Sequence, residues 1–200
     1  MGSQDQHHSH HHHHSHSRNK IKKVGAWEGA SNGLFNLVNF TGRMRRSEYW
    51  WFFAAAILLS IVVFVGFIAW EDSVVQDWVE KQRDYSAKDL FPYVLKRWTI
   101  PFYILMGLLF AAQVRRFHDI GHRAWLPIFK LLVFILFAYS YNKAAVAAQS
   151  LLPDLDVMGW TALVLYIAAA ITIAYIATQD SEKEKNRYGV SPKYRRKLAD

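Results

Sequence analysis

Between positions 114 and 125 the chain reads VRRFHDIGHRAW, and His118, Asp119 and His122 are the side chains there that first invite a chemical reading. Residues four apart share a helix face, so His118 and His122, with Asp119 beside them, have the spacing of a metal-ligand pair. A metal centre needs further ligands, and the chain offers no cysteine and no other histidine outside residues 1–17. Gly121 argues against an unbroken helix across the pair, and Arg115, Arg116 and Arg123 repel a cation. The expectation is no metal, no cofactor and no catalytic residue, with His118 shaping a turn through a carboxylate or backbone contact. A lipid-modifying enzyme built on His118 and Asp119 stands as the catalytic alternative.

The second chemistry belongs to guanidinium groups. Arg43, Arg45 and Arg46 precede Glu48, while Arg115, Arg116, Arg123 and Arg187 fall near the ends of other apolar runs. Arginine's planar fork suits bidentate contact with carboxylate or phosphate. One reading makes these residues simple anchors, each gaining about 1 kcal/mol against anionic headgroups. The other gathers Arg43, Arg46, Glu48, Arg115, Arg116, His118, Asp119 and Arg187 into one polar cluster, or a headgroup-sized anion site. Acids contribute little to helix orientation. Glu48 and Asp119 are therefore better explained as carboxylates that hold particular arginines in charge-assisted hydrogen bonds.

The elements that must position these groups are four long apolar runs, at 49–70, 98–114, 124–141 and 158–178. A helix of about 20 apolar residues crosses the hydrocarbon core, and each run reaches or approaches that length. Tyr49, Trp50, Trp51, Trp70, Trp98, Trp125 and Trp160 sit at run edges, where amphipathic rings favour the membrane–water interface. Charged faces do not recur within the runs, which excludes a soluble bundle. The fold expected is an all-α membrane protein, a bundle of four transmembrane helices over 49–178. Residues 1–17 read as an expression tag, 18–48 as a basic interfacial segment and 179–200 as a basic tail.

The net charge of +8 reports topology rather than nucleic acid. Basic residues dominate 18–48, the 115–123 connection and the tail, whereas 71–97 and 142–157 carry slightly more acids than bases. Lys/Arg bias sets orientation, so both termini and the middle connection are expected in the cytoplasm. Leu34, Phe35, Leu37, Val38 and Phe40 form an apolar patch. It is read either as a short interfacial helix capped by Ser31 or Asn32 or as an irregular linker. The start of the outer segment, 72–83, has the pattern of an amphipathic helix. Lys130 lies inside the third run; its stem is expected to snorkel to the near interface, with Gln113 as a partner. Pro101 and Pro127 are placed in the first turns of their spans. No acid lies deep in a span and no inverted repeat is visible, which weakens pump and secondary-transporter readings.

Three strings resemble one family. NFTGRMRRSEYWWFF at 39–53, VRRFHDIGHRAW at 114–125 and NRYGVSP at 186–192 are similar, in order and spacing, to the domain-of-unknown-function 805 family of small bacterial inner-membrane proteins. The matching positions are Phe40, Gly42, Arg43, Arg46, Glu48, Tyr49 and Trp50; then Arg115, Arg116, His118, Asp119 and Trp125; then Asn186, Arg187, Tyr188, Gly189 and Pro192. The His122-Arg123-Ala124 stretch and the long outer segment depart from the family pattern. The resemblance implies location and fold and assigns no activity. Strings like HDIG also occur in soluble His-Asp phosphohydrolases, whose sites need ligands that this chain lacks. The function expected is a non-enzymatic membrane module whose basic face binds anionic lipid or a partner protein. A small transport or channel component acting as a homo-oligomer is the alternative.

Overall fold

The computed structural model describes residues 23–80 and 87–194. The tag reading of 1–17, the first residues of the basic segment, the end of the 72–83 pattern and the last six residues of the tail lie outside the described residues.

Among the described residues five helices follow in order: α1 Ala26–Phe35, α2 Arg46–Glu80, α3 Ala87–Asp119, α4 Trp125–Ala148 and α5 Val157–Thr178. Four stretches within them are long and apolar enough to cross a membrane, Arg46–Trp70, Val94–Asp119, Trp125–Ala148 and Val157–Thr178. The chain is an all-helical, multi-pass membrane protein. Large apolar side chains such as Leu58, Val62, Ile135, Val164 and Ile171 stay exposed, as lipid-facing residues do. Buried positions are rich in alanine, including Ala56, Ala111, Ala112, Ala162, Ala169 and Ala177, and small residues let membrane helices approach closely.

The helices pair as two hairpins, α2 with α3 and α4 with α5, and α1 lies along α2. The hairpins meet most intimately where α2 and α4 begin and α3 and α5 end, here termed the motif end. Met44, Tyr49, Phe52, Ala56, Leu109, Ala112 and Ala177 form one apolar cluster there. Phe117, Leu126, Ala169 and Ile173 form a second. Every residue of α3 from 111 to 119 is buried. This helix end is the axis of the bundle, enclosed on all sides.

Several boundaries differ from those read in the sequence. The connection placed at 115–123 is helical as far as Asp119, because neighbouring chain satisfies the last carbonyls of α3. In the 71–97 segment, where 72–83 had the pattern of an amphipathic helix, α2 continues unbroken to Glu80 and α3 already begins at Ala87. Pro101 therefore sits well inside α3 rather than in a first turn, and its missing N–H leaves one carbonyl of the preceding turn without its helical donor. Pro127, two residues into α4, does occupy a first turn.

The helix expected around 34–40 begins earlier. α1 starts after extended Gly25, so Ser31 and Asn32 lie inside it rather than capping it. Asn36 then donates to Asn32, and Asn39 Oδ1 accepts from the amide and hydroxyl of Thr41, closing the segment as Asx-type turns. Gly29 and Gly33, one turn apart, are the contact face of α1. A Cβ at Gly33 would collide with the Phe52 ring. Gly33→Leu is expected to lever α1 off α2, costing about 1–3 kcal/mol as overpacking does. Limited proteolysis should then open residues 23–36, and an unchanged cleavage pattern would refute the close packing.

At the opposite end, Asp156 caps α5 by accepting from the Gly159 amide at 2.8 Å, and the Ser140 hydroxyl of α4 donates to the same oxygen at 2.8 Å. The Gly159 bond, seconded by Ser140, holds the Asp156 carboxyl below the usual carboxylate range.

Candidate polar site at the motif end

Helix termini leave their last carbonyls without helical donors, and inside a membrane an unsatisfied carbonyl costs several kcal/mol. The motif end contains two such C-termini side by side, that of α3, which is buried, and that of α5, whose last residue Thr178 and cap Gln179 are exposed. The arginines of the motifs answer this need.

Arg43 precedes α2 and reaches across both ends. Its Nε donates to Asp119 Oδ1 at 3.0 Å, forming an ion pair in which both side chains are almost wholly buried. Its Nη1 donates to the carbonyls of Glu184 (3.0 Å) and Gly189 (3.1 Å), and its Nη2 to those of Asp119 (2.8 Å) and Glu182 (2.6 Å). A guanidinium has five N–H groups, and each of these five meets an acceptor.

Arg116, fully buried, donates from Nη1 to Asp119 Oδ2 at 2.6 Å and to the Met44 carbonyl at 3.4 Å. Its Nε reaches the Ala177 carbonyl at 3.3 Å and its Nη2 the Gln179 carbonyl. Arg46 adds the Thr178 carbonyl at 3.1 Å. Three successive carbonyls at the end of α5 are thus each taken by arginine, a favourable pairing of cation with the negative end of a helix. Asp119 lies between Arg43 and Arg116, one carboxylate oxygen to each.

The third motif is threaded onto this core. The amide of Glu182 donates to the Asp119 carbonyl at 3.0 Å, and Asn186 and Gly189 exchange backbone bonds around a two-residue turn. Gly189 holds φ at +113°, a left-handed conformation that favours glycine. The Asn186 side chain accepts from the Tyr188 amide at 2.9 Å and donates to the His118 carbonyl at 2.9 Å and to Glu182 Oε2 at 2.7 Å. Tyr188 stacks on the His118 ring at 3.6 Å, with the rings 10° from parallel, and Arg187 lies over the same tyrosine at 4.8 Å. His118 Nδ1 lies 3.3 Å from the carbonyl of Gly42, itself at φ +80°. Lys193 binds both oxygens of Asp180 at 2.5 and 2.6 Å, and that bond holds the Asp180 carboxyl below its usual range.

The remaining sequence-selected residues have other surroundings. Glu48 works at the start of α2, where Oε2 accepts from the Arg45 amide at 3.1 Å, the reach-back of a capping box. Arg115 is buried beside it; its carbonyl accepts from the Met44 amide, while its Nε and Nη2 find no acceptor. Arg187 is exposed, with one weak bond of 3.4 Å to the Gly121 carbonyl. Trp50 packs edge-on against Tyr49 and Phe53. Trp125 is largely exposed at the start of α4, and Pro192 is half-buried with no polar role. His122 points elsewhere than His118, toward the Ile120 carbonyl and the edge of Phe117. Among the described residues no group of three or more His, Asp or Glu side chains converges as metal ligands do.

Sequence reasoning missed the main acceptors, the carbonyls of Ala177, Gln179, Glu182 and Glu184. Every residue type carries a carbonyl, so no spacing could have marked them.

The sequence model of a family described as a protein of unknown function, DUF805, matches residues 37–190. No curated protein and no solved structure matches the chain. That matched stretch begins just before the first motif, takes in all four spans and ends within the third motif, and on it the chain belongs to the DUF805 family.

Proposed function

We propose that the chain is a non-enzymatic module of a bacterial inner membrane, with both termini cytoplasmic, whose exposed basic rim engages anionic lipid headgroups. One observation carries this reading: the basic residues at the motif end include an internal, fully engaged pair and a separate exposed set. Arg43 and Arg116 are internal, their donors directed to Asp119 and to backbone carbonyls, which argues against their binding an external anion. Arg46, Arg123, Lys183, Lys185 and Arg187 are exposed around the same end. Trp27 and Trp125, both exposed, fit the interfacial level at which such cations meet phosphate. Each basic residue near an anionic surface contributes about 1 kcal/mol. Lys/Arg bias favours the cytoplasm for this end.

Against catalysis on His118 and Asp119 stands the engagement of both Asp119 oxygens by arginine, which leaves no free carboxylate to move a proton.

The test is thermal unfolding of the detergent-solubilised protein, freed of residues 1–17, with phosphatidylglycerol or phosphatidylcholine added. Phosphatidylglycerol is expected to raise the unfolding temperature, as a ligand of the folded state does. Salt should weaken the effect, and the combined glutamine variant of Arg46, Arg123, Lys183, Lys185 and Arg187 should remove it. Equal shifts with both lipids, or an undiminished shift in the variant, would sink the reading.

A further inference from the structure

At the half of the bundle away from the motif end, α3 stands off the α4–α5 hairpin around a cavity of about 610 Å³. Its walls are mostly rings, with Trp98, Phe102 and Tyr103 from α3, Phe134 and Tyr141 from α4 and Tyr166 from α5. The volume falls within the range of about 300–1,000 Å³ typical of small-molecule sites. One turn before Phe134, on the α4 face that also carries Phe137 and Tyr141, stands Lys130.

Lys130 does not snorkel. It is 5% exposed, and its Nζ lies 5.8 Å from the centroid of the Tyr166 ring that lines the cavity. The partner expected from the sequence is not engaged: Gln113 makes no bond to Lys130, and its Oε1 is buried without a donor. The Tyr166 hydroxyl is directed to Met106 Sδ at 3.3 Å. The described residues offer the ammonium a ring face and no hydrogen-bond acceptor. A cation–π contact alone recovers only part of the cost of a charge inside the membrane.

We propose that the cavity is a binding site for a long-chain carboxylate amphiphile, a fatty acid. Its carboxylate meets Lys130 beside Tyr166, and its chain lies along the ring-lined groove. Charge complementarity selects this occupant over a neutral lipid: Lys130 is not part of the wall but stands against the lining ring of Tyr166, the lining contains no acid, and the walls are apolar. The site is separate from the basic rim and does not depend on the lipid reading above.

The experiment uses the full chain in detergent and labelled hexadecanoate, with hexadecanol and a short-chain ubiquinone analogue as competitors. Saturable binding is expected, displaced by unlabelled hexadecanoate and not by equal concentrations of the alcohol or the quinone. Lys130→Met should weaken binding by about tenfold or more, as truncating one partner of a buried charge pair does. Unliganded Lys130→Met should unfold at a temperature no lower than the native protein, since it removes an unneutralised charge. Ala138→Trp fills the groove and keeps Lys130, so it should abolish binding, and it decides the matter if Lys130→Met does not fold. Absence of saturable binding, undiminished affinity in either variant, or equal competition by hexadecanol or the quinone overturns the proposal.

Discussion

Asp119→Ala is expected to lower the stability of the detergent-solubilised protein by about 3–5 kcal/mol, the loss that follows when one member of a buried ion pair is removed. The substitution leaves two buried guanidinium groups, Arg43 and Arg116, without the carboxylate that neutralises them. Asp154→Ala is the control, because Asp154 is exposed in the α4–α5 connection and a change there should stay within about 0.5 kcal/mol. Unfolding by heat or denaturant, followed by helical circular dichroism, makes the comparison. Equal midpoints for the two variants would mean that the Arg–Asp–Arg contact does not hold the bundle together.

The second large effect is expected from a substitution that keeps the charge. Arg43→Lys replaces five fixed donors with three on a compact ammonium. Five acceptors converge on Arg43, from Asp119, Glu182, Glu184 and Gly189, so at least two lose their donor. Asp119 Oδ1 is the buried acceptor that depends on Arg43, and leaving such a group unsatisfied costs about 1–3 kcal/mol. The carbonyls of Glu182 and Glu184 are exposed and add little, so the expected loss is about 1–3 kcal/mol. The carbonyls set free belong largely to the segment after α5, so protease should cut within 180–190 before the helices unfold. A double-mutant cycle with Asp119→Ala should show strong coupling. Full stability in Arg43→Lys would indicate that charge alone, without the fork, is what the motif supplies.

Much of the architecture was legible from composition and periodicity. Four apolar runs with aromatic edges define four spans, because the thickness of the hydrocarbon core imposes a length on any helix that crosses it. The ends were less legible. α3 runs to Asp119 although Arg115, Arg116, His118 and Asp119 read as a polar connection. Charged residues at a helix end cannot be told from a loop unless their partners are known. In the 71–97 segment the amphipathic pattern at 72–83 was legible as helix, but not that it continues α2 without a break to Glu80.

The residue types of the polar site were visible as arginines, acids and glycines recurring at one end of each span. Which arginine does what was not. Arg43 and Arg116 share Asp119, Glu48 serves the start of its own helix, Arg187 stays outside, and Arg115 lies buried with two nitrogens unpaired. These roles depend on backbone carbonyls at 177–189 that approach only when α5 packs against α3. Gly33 and Lys130 are similar cases. A glycine in a short helix becomes a contact only when Phe52 faces it, and a lysine in an apolar run becomes a buried cation only when Tyr166 covers it. Length, hydropathy and charge bias are properties of the chain taken segment by segment, and they determined the spans and the grouping of basic residues. Burial, hydrogen-bond satisfaction and charge pairing depend on segments that meet across the bundle, and only the tertiary structure decided those.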